Sequence, residues 1–345
     1  MSSTATRRHV LLTGCSSGIG LEAAHQLLQA GHQLTVLCRD RATGDRLRFE
    51  LEAPVATPIC DLADLSSVEA CAAELLSQGT PIDTLVLNAG LQYSGAKEPR
   101  WSAQGFELTV AVNHLAHQSL LQRLLVLLIQ GTTPRMVITA SEVHDPSSGG
   151  GKVGRPAGLG TLVGLKEGAG AAMLDGSTFN AEKAYKDSKL CNLLMAREAT
   201  RRLQDAGLSV PVLTWSPGLV IPRSPGGFFR YSRVHNPAGQ VLFALVARDL
   251  LQLTESPQRA GALLVGLATH TPEQPQAFEY WSNRVLGPGR RRFERAEPSA
   301  EARSTQLAQA LWQLSAQHLG LPPEFNAPNA SPAAADTGDT PSAPH

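Results

Sequence analysis

Short apolar bursts alternate along this chain with longer stretches in which apolar positions recur at helical spacing. The bursts "HVLLTG", "QLTVLCR", "VATPICDL", "IDTLVLNAG", "RMVITAS" and "PVLTWSP" read as strands. Between them lie helix-length segments: residues 21–30, a charged stretch after Arg39, residues 66–77, and a segment that runs to residue 129. Strands that are apolar at successive positions need cover on both faces, and crossover helices supply it. Gly, Asn and Asp punctuate the strand ends. The rhythm predicts an α/β fold: one doubly wound parallel sheet with helices on both faces, in a single domain over residues 1–325.

Two stretches break the rhythm. Residues 145–180, "DPSSGGGKVGRPAGLGTLVGLKEGAGAAMLDGSTFN", are too long for an ordinary connection and predict a lid or a flexible excursion. With residues 220–260 they are expected to cover a substrate and exclude water. Residues 326–345 are Pro, Ala and Ser with almost nothing to bury, which predicts a disordered tail. Just before it, Leu307, Leu311 and Leu314 share one face of a helix expected to pack on the domain.

Charge and cysteine usage narrow the partners. Lys and Arg number 30, as do Asp and Glu, which leaves no electrostatic footprint for nucleic acid. A small-molecule substrate, neutral or weakly charged, is the expected partner, and the oligomeric state stays open. The five cysteines are odd in number and form no C-x-x-C pair, so reduced thiols in a cytoplasmic compartment are expected. The start, "MSSTATRRHV", has no apolar signal core, and the run "LLQRLLVLLI" is interrupted by Gln122 and Arg123. Membrane contact is therefore expected to be peripheral at most. His114, His117 and His144 lack metal-ligand spacing with a carboxylate or thiol, so no metal is expected. Arg290, Arg291 and Arg292 read as a solvated loop, Cys191 as helix packing, and Lys152 and Arg155 as possible contacts for a substrate carboxylate.

The first motif with chemistry is "TGCSSGIG", from Thr13 through Gly14, Ser16, Ser17, Gly18 and Ile19 to Gly20, between the opening strand and a helix. Glycines there let the backbone turn tightly and approach a pyrophosphate, which the helix N-terminus attracts. The bland alternative is a tight turn with no ligand. A Rossmann-type site for NAD usually ends its second strand on an acidic residue, whereas here Cys38 stands there and Arg39 follows. A guanidinium at that place favours NADPH through its 2'-phosphate, unless Arg39 is simply a solvated surface residue. Asp61 and Leu62, then Asn88, Ala89 and Gly90, end the next two strands on the ligand side of an open sheet, where they either line the cofactor or cap helices. Pro217 and Gly218, after the sixth strand-like burst, complete the expected cofactor contacts.

The second motif lies in "AEKAYKDSKLCN". Tyr185 and Lys189 are four apart, on one face of a helix, so the ammonium can lower the phenol's pKa and also reach a ribose. Such a tyrosine exchanges a proton near neutral pH. Ser141, ending "RMVITAS", is placed to hydrogen-bond the same substrate oxygen, and Asn113, in "VNHL", to hold a water or backbone group that relays the proton.

Taken together, T-G-x-x-x-G-x-G at 13–20, N-A-G at 88–90, Asn113, Ser141, Tyr185 and Lys189 resemble the short-chain dehydrogenase/reductase family over residues 9–220. The resemblance implies hydride transfer from NADPH with Tyr185 as the proton donor or acceptor. Within that family, "FNAEKAYKDSKLCN", "CRD", "GFELTVAVNHLAH", "AGLGTLVGL" and "YWSN" are similar to the light-dependent protochlorophyllide reductases. That likeness implies a tetrapyrrole substrate, light-driven reduction of one ring double bond, Tyr185 as proton donor, and Lys189 orienting NADPH and tuning Tyr185. It also implies a place in chlorophyll biosynthesis and, for location, the edge of a photosynthetic membrane. The chain departs from that group at Ser216 and Leu219, where those reductases carry Tyr and Cys. The departure keeps two alternatives in play: a dark carbonyl or alcohol dehydrogenase acting on a bulky apolar substrate, and a paralogue that binds nucleotide or pigment without turnover.

Overall fold

The computed structural model describes residues 7–221, 227–269 and 278–325; the tail expected over 326–345 lies outside the described residues. Within them one sheet holds β1 (His9–Thr13), β2 (Gln33–Leu37), β3 (Thr84–Leu87), β4 (Arg135–Thr139), β5 (Val212–Ser216), β6 (Phe278–Gly287) and β7 (Arg290–Arg295). Their order is β2-β1-β3-β4-β5-β6-β7, parallel throughout except for the antiparallel β6/β7 pair. The longer helices are α1 (Gly18–Gln29), α2 (Arg41–Leu51) and α3 (Leu65–Gln78). The short α4 (Leu108–Val110) runs through a π-helical turn (Ala111–Leu115) into α5 (Ala116–Ile129). After them come α6 (Val163–Glu167), α7 (Ala181–Asp205), α8 (Arg230–His235), α9 (Pro237–Ala244), α10 (Pro257–Thr269) and α11 (Thr305–His318).

The strand alternation decides which helices cover which face. Leu11, Leu85, Leu87, Met136, Ile138 and Val212 pack against α3, α5, α7 and α11. Their neighbours Val10, Leu12, Val86, Val137, Leu213 and Trp215 point the other way, onto α1, α2 and α10. Two cores therefore sandwich the sheet, as the apolar bursts predicted, and each fully buried Leu or Val contributes about 1.5–3 kcal/mol. Asp40 caps α2 through the Thr43 amide, Asp64 caps α3 through the Ser66 amide, and Gly79 ends α3 at φ 63°.

Two strand expectations change. The segment "VATPICDL" touches β2 only at Thr35–Ala56 and Cys38–Ile59. Pro58, inside the segment, has no N–H to donate, so no continuous ladder forms. Conversely, Arg290–Arg292 are not a loop but the start of β7, which returns along β6. Their charged side chains hid the strand.

The excursion over 145–180 is packed down rather than loose. It buries Ala157, Leu159, Leu162, Leu165, Met173 and Leu174. Two buried lysines on α7 hold it. Lys186 Nζ donates to the carbonyls of Gly151, Val153 and Arg155, and Lys183 Nζ reaches Gly158 O, Asp175 and Asp187. Asp187 also accepts from the Gly158 amide. Arg155 is spent on Thr178 O and Ser177. Lys186→Met leaves three carbonyls, that of Gly151 buried and those of Val153 and Arg155 partly so, without their donor, an expected cost of about 1–3 kcal/mol. Chemical denaturation with amide exchange over 151–158 checks this, and an unchanged midpoint with unchanged exchange would remove the clamp.

Candidate active site

The glycine turn after β1 is built for close approach. Gly14 sits at φ 76°, and a Cβ there would lie 2.7 Å from Ala89 Cα, while a Cβ on Gly20 would lie 2.2 Å from Gly14 O. Ser17 precedes α1 in extended conformation, and its side chain makes no cap hydrogen bond, so the first-turn amides stay available. Ile19 faces inward onto the α1-side core.

The strand ends are laced together beneath this turn. Thr13 Oγ1 accepts from the Asn88 and Ala89 amides, both at 2.9 Å, and Asn88 Nδ2 donates to Thr13 O. Asn88 Oδ1 accepts from Thr139 Oγ1, which accepts from Trp215 Nε1 at 2.9 Å. Four strands, β1, β3, β4 and β5, are thereby fixed relative to one another at the end where the candidate residues gather.

Asn113 lies in the π-helical turn, a local widening that often marks functional sites. Its amide side chain grips Leu91 on both sides, accepting from Leu91 N at 2.9 Å and donating to Leu91 O at 3.0 Å. That holds the backbone just after Gly90 against the π-helical turn, and Nδ2 also donates to Ser188 Oγ on α7. Its carbonyl accepts from His117 Nδ1, so His117 Nε2 is the acceptor facing Thr13 Oγ1 at 3.3 Å. Burial, aided by the Lys189 charge, pulls His117 down to about 3 and keeps it neutral. The sequence weighed His117 only as a metal ligand; its spacing of four from Asn113 is the hint of this contact.

Ser141, Tyr185 and Lys189 come together as their motifs predicted. The Tyr185 phenol lies beside the Ser141 side chain, whose influence works to lower its pKa. One turn along α7, Lys189 is 2% exposed, donates to Thr139 O at 3.1 Å, and holds its ammonium 5.7 Å from the Tyr185 ring centre. A Cβ on Gly90 would stand 3.4 Å from that ammonium, so the absence of a side chain there keeps the approach open. The electrostatics depart from expectation. Burial pushes the Tyr185 phenol above its ordinary value, and Ser141 only moderates this. The ammonium does not depress it, because Lys189 is aimed at a carbonyl and is itself pulled down to about 8 by burial.

An apolar cover meets the phenol. Phe228 packs edge-on against Tyr185 with ring centres 5.3 Å apart, and Phe229, Ile221, Leu219 and Ala247 form the cluster behind it. Gly227 comes down on the glycine turn, where an added Cβ would lie 2.4 Å from Ser17 Oγ. The rest of the expected cofactor set lies around the same rim. Arg39 is paired with Asp40, Asp61 accepts from the Ala63 amide rather than capping α3, and Leu62 is partly buried. Pro217 O accepts from Asn283, and Gly218, at φ 76°, lies where a Cβ would meet Asn283 O. Ser216 is buried and accepts from the Glu142 amide at 3.0 Å. Cys191 is fully buried, and all five cysteines are free thiols.

Known proteins share this plan. The short chain dehydrogenase family model matches residues 8–151. Protochlorophyllide reductase B, chloroplastic, of Hordeum vulgare is 33% identical over 323 residues, covering 91% of this chain and 79% of the relative. The chain belongs to the short-chain dehydrogenase/reductase family. Protochlorophyllide reductase A, chloroplastic, of Oryza sativa subsp. japonica is 34% identical over 328 residues, covering 90% of the chain and 80% of the relative. Among solved structures, a putative uncharacterized protein from Mycobacterium Paratuberculosis superposes with a TM-score of 0.66 at 25% identity, over 93% of this chain and 95% of that one. The Pseudomonas aeruginosa RhlG/NADP active-site complex shares the fold, with a TM-score of 0.56 at 22% identity over 78% and 92% of the two chains.

As a member of this family the protein is an NADPH-dependent oxidoreductase, and its residues fit that cofactor. Side-chain-free positions at Gly14, Gly20 and Gly90, uncapped amides at the start of α1 and a guanidinium at Arg39 make a cradle for a pyrophosphate and a 2'-phosphate. Among the described residues no helix is long and apolar enough to cross a membrane.

The buried Lys189 leaves a pH signature. Its folded pKa of about 8 lies below the ordinary lysine value near 10.4, so the unfolded chain binds more protons between those values. Its destabilising effect is complete below pH 8 and is relieved as pH rises through that window. Lys189→Met should abolish this contribution, so the difference in unfolding free energy between variant and wild type shrinks from pH 7.5 to 10. A constant difference would place Lys189 in a solvated setting.

Proposed function

We propose that this oxidoreductase reduces a bulky apolar substrate of the tetrapyrrole class, protochlorophyllide being the leading candidate, with Tyr185 as proton donor. The observation that carries the chemistry is the Tyr185 phenol beside the Ser141 side chain, with a buried ammonium 5.7 Å from its ring centre. The likeness to protochlorophyllide reductases supports the substrate. NADPH, when bound, supplies the hydride. Tyr185 supplies the proton: its raised pKa keeps the phenol protonated at neutral pH, the form a reduction needs. Ser141 fixes the direction of the phenol. Lys189 holds positive charge near the tyrosinate left after transfer, in a site where burial strengthens the attraction. Phe228 and the cluster behind it keep water from the phenol. Asn113 and the cofactor-rim residues take their roles within the same reading.

A second reading rests on Ser216 and Leu219. Ser216 is fully buried beneath the Glu142 amide, and Leu219 joins the apolar cluster and carries no acidic proton, so neither reaches a pigment as a proton donor. This favours dark reduction of a carbonyl by the same Ser141, Tyr185 and Lys189. Absorption spectra with NADPH and protochlorophyllide, taken in darkness and after a light pulse, separate the two. Conversion only after light is expected, slowed at least tenfold in Tyr185→Phe with NADPH affinity retained. Binding without conversion would sink pigment reduction, and unchanged turnover in the variant would remove Tyr185.

The cover also supports a peripheral place at a photosynthetic membrane. Val241, Leu242, Phe243, Leu245 and Leu250 are exposed along α9 and the π-helical turn after it, and α9 buries none of its residues. Leu242→Asp should weaken co-flotation with lipid vesicles while leaving NADPH binding intact. Equal flotation of both proteins, or of neither, would remove the membrane from this reading.

A further inference from the structure

The adenosine end of the cofactor cradle is less simple than a lone Arg39 suggests. Arg39 Nε donates to Asp40 Oδ2 at 3.0 Å. That carboxylate is a permanent fixture. It accepts from the Thr43 amide at 2.7 Å to cap α2, and hydrogen bonds from Thr43, followed by Arg39, hold its pKa at about 2. Arg39 thus meets any phosphate with an anion already at its side. A phosphate monoester carries between one and two negative charges at neutral pH, and one half-neutralised guanidinium is a weak partner for it.

A second guanidinium stands at the same mouth. Arg46, on the exposed side of α2, reaches back to the glycine turn, where Nη2 donates to Ser16 O at 3.2 Å. The parallel register pairs Thr13 with Leu37, so Ser16, three residues beyond one partner, and Arg39, two beyond the other, leave the sheet side by side. Gly44 lets α2 lie against Thr57, since a Cβ there would be 2.9 Å from Thr57 Oγ1, and this seats α2 close to the sheet. Of the nearby arginines, Arg48 is engaged by Asp45 and Thr57, whereas Arg46 has only the neutral carbonyl as partner among the described contacts.

We propose that Arg46 is the second cation of the adenosine 2'-phosphate site and, with Arg39, sets the preference for NADPH over NADH. The inference rests on the reading that the nucleotide occupies the glycine turn. Arg46 gives up a single bond to a neutral carbonyl for bonds to an anion, and its planar fork suits a phosphate. NADH, which lacks the phosphate, gains nothing from it.

The test is a fluorescence titration of the full chain with NADPH and with NADH, for wild type, Arg46→Ala, Arg46→Lys and Arg39→Ala. Losing a hydrogen bond to a charged group is expected to weaken NADPH by roughly ten- to a hundredfold in Arg46→Ala. NADH affinity should stay within about twofold, Arg46→Lys should recover part of the loss, and the salt dependence of NADPH binding should flatten. Equal weakening of both nucleotides would make Arg46 a strut for the glycine turn and overturn the proposal, as would no change in either. Wild type binding both nucleotides alike would overturn the 2'-phosphate reading itself, a failure visible before any variant is made.

Discussion

A lysine ammonium buried to 2% exposure sets the terms for the candidate active site of this protein. Removing such a charge from water is costly, and only a fixed polar frame makes the cost bearable. Lys189 receives one carbonyl, that of Thr139, which Asn192 also uses. Thr139 in turn is locked by its hydroxyl to Asn88 and Trp215, and Asn88 to Thr13. The ammonium therefore sits at the end of a chain of hydrogen bonds running across four strands. Its position is a property of the sheet rather than of its own helix.

The same frame explains how the tyrosine is tuned. Spacing alone suggested a phenol acidified by its neighbour, but distance and orientation decide otherwise: the ammonium points at a carbonyl while an apolar cover dries the phenol. In the free protein the phenol stays protonated beside Ser141. That state suits a group that gives a proton away.

What was legible in the sequence was whatever depends on local pattern. Five of the six apolar bursts became strands because their residues are apolar on both alternations, and the burst broken by Pro58 did not. The glycine turn, Ser141, Tyr185 and Lys189 were readable because each must occupy a strand end or one helix face. The β6/β7 pair was not, since "RRRFER" carries charge at nearly every position on an edge strand and has no apolar alternation to betray it. His117, Thr139 and Arg46 were equally hidden, for their roles arise from contacts between segments far apart in the chain. The excursion looked loose because its anchors, Lys183, Lys186 and Asp187, belong to another element.

Those anchors bear on how α7 can change. Through its first three turns every side chain is spoken for. Ala181, Ala184, Leu190 and Cys191 are packed, and Glu182 accepts from the Gly95 amide. Lys183, Lys186 and Asp187 hold the excursion, Ser188 bridges Asn113 and the helix backbone, and Tyr185 and Lys189 face the site. A surface helix normally leaves half its positions free to vary, whereas here chemistry and anchoring share one short stretch with no idle residue between them. A substitution anywhere in this stretch therefore disturbs either the candidate site or the anchors of the excursion, whereas α9, which buries none of its residues, lies outside that double duty.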